Sequence, residues 1–139
     1  MKTQVLCLVG VLSLLLVAGS ALAQNTIVAN VPFSFSVNRT TMPAGEYTVS
    51  SVGTGDTLLI QSRDMKTAKL VLPIRAETLK PSADTKLVFH CYDSREHCFL
   101  YQIWVQGKNR GRQLPKSSYE NEVAARIRSN DVPVIASAR

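Results

Sequence analysis

The chain has 139 residues, with 16 Lys and Arg against 10 Asp and Glu and a formal net charge of +6. That length accommodates one domain with a modest core and leaves no room for a second of ordinary size. A basic balance raises nucleic acid as a partner for a cytosolic chain, but the N-terminus argues for a different compartment.

Lys2 precedes the apolar run "VLCLVGVLSLLLVAG" (residues 5–19), and "ALA" (residues 21–23) follows with small residues where a signal peptidase cuts. The run is too short for a membrane span, which needs about 20 apolar residues, and reads as a secretory signal over residues 1–23. A mature chain starting at Gln24 is expected, exported to the periplasm or beyond the cell, with no transmembrane segment after cleavage. Losing Lys2 with the signal takes the formal charge to about +5, a sign that suits an anionic envelope polymer, a lipid headgroup or an acidic protein rather than nucleic acid.

Strict alternation in "VPFSFSV" (residues 31–37) sets Val31, Phe33, Phe35 and Val37 against Ser34 and Ser36, the pattern of a strand with one buried face. Pro32 suits an edge position. "NRTTMPAGEY" (38–47), with Pro43-Ala44-Gly45, reads as a turn, "YTVSSV" (47–52) as a strand, "GTGD" (53–56) as a turn and "TLLIQS" (57–62) as a strand. "TAKLVLPIRAE" (67–77) is a longer strand in which Pro73 marks an edge or a bulge. "KLVFHCY" (86–92) and "HCFLYQIWVQ" (97–106) form a hairpin over "DSRE". The fold class is therefore mainly β: one antiparallel β-sandwich or small β-barrel of six to seven strands with a short C-terminal helix, over residues 24–139.

The helix is expected near 118–128. Ser117 and Glu120 have capping-box spacing, in which each side chain satisfies a free backbone N–H of the first turn, and Tyr119, Val123 and Ile127 make one apolar stripe. Both hairpin faces are apolar, with Leu87, Phe89, Leu100 and Trp104 on one, and Val88, Tyr92, Phe99, Tyr101 and Ile103 on the other. The stripe is expected to cover the outer face. "DVPVIASAR" (131–139) is compatible with a further strand or with a loose end.

Both histidines fall in "FHCYDSREHCF" (89–99) as two His-Cys dipeptides. A hairpin turning at Ser94-Arg95 places Cys91 opposite Cys98 and Tyr92 opposite His97. Neighbours along a strand point to opposite faces, so the cysteines share one face and the histidines the other. One zinc ion cannot collect all four, and a Cys nucleophile would have its adjacent His pointing away. In an oxidising compartment the expected outcome is a Cys91–Cys98 disulfide, closing a short loop at about 2.5 kcal/mol of loop entropy. No metal site, cofactor or catalytic set is expected, and the chain reads as non-enzymatic. Lys108, Arg110, Arg112 and Lys116 in the basic loop 106–116 are the candidate anion-binding residues. The leading functional expectation is a binding or structural protein of the cell envelope; the alternative is a small barrel that carries an apolar ligand.

"NVPFSFSV", "MPAGEYTV", "KLVFHCY", "FLYQIW" and "GRQLPKS" occur in this order over most of the mature chain. Together they resemble a group of short, exported, uncharacterised bacterial proteins. The resemblance implies an exported small β domain and brings no activity, cofactor or site residue to any position here. The cysteines lie outside the shared pattern, which makes their bridge a local staple of this member.

Overall fold

Two prolines cut strands that the alternation pattern joins. In the computed structural model, which describes residues 26–139, β1 (Ile27–Val31) and β2 (Phe35–Val37) part at Pro32, and β6 (Ala68–Val71) and β7 (Ile74–Glu77) part at Pro73. The expected signal peptide and its cleavage point lie outside the described residues. The remaining elements are β3 (Thr40–Met42), β4 (Gly45–Ser51), β5 (Leu58–Ser62), β8 (Lys86–Tyr92), β9 (His97–Trp104), β10 (Arg110–Gln113), α1 (Ser118–Ala124) and β11 (Ser129–Ala138). Segments read as a turn and as a basic loop thus contribute the short strands β3 and β10.

The strands form one sheet in the order β3-β2-β9-β8-β11-β1-β4-β5-β6, with β10 bridging β9 and β7. It curls into a nearly closed, mainly β barrel with one short C-terminal helix. All pairings are antiparallel except a single parallel contact, Ser36 with Phe99, where the β2 segment freed by Pro32 reaches β9. A proline at each break removes an N–H from the ladder and fixes φ, so the chain turns from one pairing partner to another there.

The C-terminal segment is a strand, and it occupies the middle of the sheet. Ser129–Ile135 pair with β8, and Ala136–Ala138 then pair with β1. Pro133 lies opposite Val88, in the stretch before β1 is engaged, so its missing N–H breaks no ladder on that side. β11 therefore joins the two halves of the barrel around a core that includes Val31, Phe35, Val37, Tyr47, Ile60, Leu87 and Phe89. Phe33 packs edge-on against Phe89, whose ring also meets Phe35.

The β8–β9 hairpin keeps the expected register at its tip, with Cys91 opposite Cys98, Tyr92 opposite His97 and His90 opposite Phe99. Cys91 and Cys98 are joined in a disulfide, both sulfurs in the core. A bulge between Val88 and Phe89 then shifts the pairing, so that Val88 faces Gln102 and Leu87 faces Ile103. Tyr101 is the extra residue. The shift corrects the expected faces: Ile103 turns inward beside Leu87, and Trp104 turns outward to pack with Val88 and Ala76.

The tip itself holds three consecutive side-chain-bearing residues in the left-handed region, Asp93 (φ 48°), Ser94 (φ 52°) and Arg95 (φ 78°). Such backbone costs on the order of 1 kcal/mol per residue. The disulfide one pair below holds the strands together against that cost. Replacing both cysteines by alanine should lower the unfolding free energy by about 2.5 kcal/mol, read from urea midpoints. Intact mass should rise by two hydrogen atoms per chain on reduction. An unchanged mass would refute the bridge, and an unchanged midpoint would refute its stabilising role.

Helix α1 also departs from expectation. It ends at Ala124 rather than near 128, and the stripe residues Tyr119 and Ile127 are exposed while Val123 is half-buried. The outer face of the hairpin is nonetheless covered in two parts: near the tip Glu120 is buried against His90 and Tyr92 and the Tyr119 ring meets Phe99 edge-on, while Ala76 of β7 packs on Val88 and Trp104. The stripe also lines a surface groove with His97, Glu122 and Arg126.

Candidate functional site

The barrel is open along one seam. β6 pairs with β5 alone, and after Pro73 the chain leaves to pair β7 with β10. The gap is a cavity of about 790 Å³, within the range of small-ligand sites. Its inner wall comes from Ile27, Val49, Leu58, Ile103 and Val105. Its rim carries Arg75, Lys108, Arg110 and Arg112; Asp56 is the carboxylate in the lining, and Glu77 beside it pairs with Arg110.

The register explains why the cations converge. On β10, Arg112 lies opposite Ile103 of β9 and opposite Arg75 of β7. Opposite residues share a face, so both arginines follow the inward-turned Ile103 towards the barrel mouth. Arg110 is opposite Glu77 and pairs with it at 3.5 Å. Arg112 donates from Nη1 to the Ser51 hydroxyl at 3.3 Å, across the mouth from β4. Among the described residues neither Arg75 nor Arg112 has a carboxylate within ion-pair distance. Two arginines directly opposed on neighbouring strands oppose folding unless an anion lies between them.

The opposite face of the β7–β10 ribbon is anchored. Ala76 packs with Trp104 and Val88, and the Trp104 indole N–H donates to Gln102 Oε1 at 3.1 Å. Gln102 in turn donates to Gln113 Oε1 at 3.0 Å. The preceding loop is tied down by backbone bonds from Ser82 to Lys108 and from Gly107 to Ser82, each 2.9 Å. The rim cations are thus mounted on strand and braced loop.

Of the four sequence-predicted anion-binding residues, Lys108, Arg110 and Arg112 line the cavity, while Lys116 is exposed beyond β10 and outside the lining. Arg75, Ser51 and Asp56 were not anticipated. Arg75 sits in a segment read as an ordinary strand, and only the long-range β7–β10 pairing brings it to Arg112. No local pattern announces that pairing.

A second polar cluster lies under the helix. Glu120 Oε1 accepts from the Tyr92 hydroxyl at 3.2 Å and lies 2.9 Å from His90 Nδ1, which donates to it. His90 Nε2 lies 3.5 Å from Asp131 Oδ1, and its ring stacks on Tyr101 with centroids 3.7 Å apart. Burial holds the Tyr92 phenol above the ordinary tyrosine value, and the adjacent Glu120 carboxylate adds to the shift. The two carboxylates address opposite ring nitrogens and do not converge on one point; among the described residues no group of His, Cys, Asp and Glu is arranged to hold a metal ion. Cys91 and Cys98 lie on the other face, bonded to each other. This cluster docks the helix.

No family model, no curated protein and no solved structure matches this chain. Among the described residues no helix is long and apolar enough to cross a membrane.

Proposed function

We propose that this chain is a non-enzymatic, exported domain of the cell envelope that binds an anionic ligand at the open seam of its barrel. The observation that carries the reading is the Arg75–Arg112 pair, directly opposed across β7 and β10 and aimed at the cavity. Like charges so placed work against folding, and a bound anion turns that repulsion into charge-assisted hydrogen bonding from two planar guanidinium groups. The apolar N-terminal run and the buried disulfide support export, as does the resemblance to short exported bacterial proteins. A carrier of a purely apolar ligand accounts for the inner wall but leaves the opposed arginines without a role.

The test is elution from phosphocellulose in rising salt, comparing charge-matched variants. Arg75→Gln with Arg112→Gln should elute at clearly lower salt than the native chain. Lys80→Gln with Lys116→Gln, equal in charge but outside the cavity, should elute close to it. If the two double variants elute together, retention reflects net charge alone and the reading fails. Arg75→Gln by itself should also raise stability without ligand by about 0.5 kcal/mol, because it relieves the cross-strand repulsion.

A further inference from the structure

Resting on the anion-binding role just proposed, we infer that the anion is the headgroup layer of a lipid bilayer, on which the seam docks with exposed leucines beside its cations. Leu70, Leu72 and Ile74 are each more than half exposed, and Leu79 is fully so. Val71, between Leu70 and Leu72, is buried opposite Leu58, so alternation turns both leucines outward. Pro73 is buried between Leu72 and Ile74 and lines the cavity, so the chain there is held from beneath with both side chains in water. Leu79 stands in the loop after β7. The Thr78 N–H to Asn109 carbonyl and the Ser82 N–H to Lys108 carbonyl bonds, each 2.9 Å, fasten that loop to the basic loop.

Cations are interleaved with these side chains. Arg75 follows Ile74 and Lys80 follows Leu79, while the loop bonds bring up Lys108 and the β7–β10 ladder brings up Arg112. Among the described residues none of these four has a carboxylate within ion-pair distance. Glu77 is taken up by Arg110, and Asp56 is the carboxylate in the cavity lining. A second copy of the chain, docked by the same patch, would bring these cations onto each other. A protein partner is met by an interface core rich in aromatic residues, and the stretch from Leu70 to Lys80 has none. An anionic bilayer needs no matching shape. Its phosphates take the guanidinium and ammonium groups, and the boundary between headgroups and acyl chains takes the leucines.

Co-sedimentation with vesicles of phosphatidylglycerol and phosphatidylcholine tests this, with pure phosphatidylcholine vesicles as the neutral control. The native chain should bind the anionic vesicles and leave the neutral ones. Leu72→Ser with Leu79→Ser should weaken vesicle binding about tenfold or more. The urea midpoint and the retention on phosphocellulose should stay native in that variant, because both side chains are exposed and uncharged. Arg75→Gln with Arg112→Gln should weaken vesicle binding about thirtyfold and lower retention as well. A leucine variant that binds vesicles as tightly as the native chain would overturn docking through the leucines. A native chain held on phosphocellulose but left in the supernatant by anionic vesicles would overturn the bilayer and leave the anion site standing for a protein or a soluble anion. Equal binding to both vesicle types, with retention unaltered by the arginine changes, would overturn both readings. A native chain that is dimeric without vesicles, and monomeric after the leucine changes, would overturn the bilayer in favour of a second copy.

Discussion

Replacing Glu120 by alanine should destabilise the protein by about 3 kcal/mol and release the helix from the barrel. Glu120 is 4% exposed although it is an acid, and its side chain is the helix's main polar anchor. Truncation removes the acceptor for two buried donors, the His90 ring and the Tyr92 hydroxyl, and each donor left unpaired in a buried site costs about 1–3 kcal/mol. The helix has 7 residues and cannot persist on its own propensity once that anchor is gone. Its N-cap, the Ser117 hydroxyl accepting from the Glu120 N–H at 3.1 Å, survives the change but cannot hold the segment in place. Tyr92 and Phe99, both nearly inaccessible in the native fold, would then meet water. The measurement is the urea midpoint together with amide exchange over residues 117–127. Glu120→Gln keeps an acceptor oxygen of the same reach and should lose clearly less. An alanine variant within about 0.5 kcal/mol of the native chain would show that the cluster does not hold the helix.

The sequence makes the mainly β class, the hairpin register and the cross-strand bridge readable because all three follow from local alternation and turn chemistry. Ser117 as the helix cap is readable for the same reason. What escapes is whatever depends on parity or on distant pairing. The bulge beside Val88 has no glycine to mark it, yet one extra residue at Tyr101 exchanges the faces of Ile103 and Trp104. Glu120 has capping-box spacing, but its side chain turns to His90, thirty residues away, and not back to the cap backbone. The candidate site divides in the same way. Lys108, Arg110 and Arg112 stand out as a run of cations, whereas Arg75 acquires meaning only from its partner across the β7–β10 ladder. The central position of β11 likewise comes from pairing with β8 and β1, which its own weak alternation does not specify.

The site should also be sensitive to a single methyl group at Gly111. A Cβ built there would meet Trp104 Cε3 at 2.6 Å, Trp104 Cδ2 at 2.8 Å and the Ile103 carbonyl oxygen at 2.8 Å. The carbonyl is backbone of β9 and has little freedom to move. The indole is 5% exposed, packed on Val88 and Ala76 and held through its N–H to Gln102, so swinging it away breaks those contacts. Gly111→Ala must therefore push β10 off β9, at a cost of about 2 kcal/mol from overpacking. Arg110 and Arg112 flank the glycine, so the displacement carries rim cations away from Arg75 and Ser51. Weaker retention on phosphocellulose should accompany the lost stability, although no charge has been removed. Trp104 is the single tryptophan of the chain, so its emission reports on this contact directly and should shift to the red. Pairing Gly111→Ala with Trp104→Phe removes part of the ring that the new methyl strikes. The double variant should lose less than the two single losses combined, a coupling on the order of 1 kcal/mol. Native stability, emission and retention in Gly111→Ala would show that β10 can yield without cost, and that the ribbon does not position the cations.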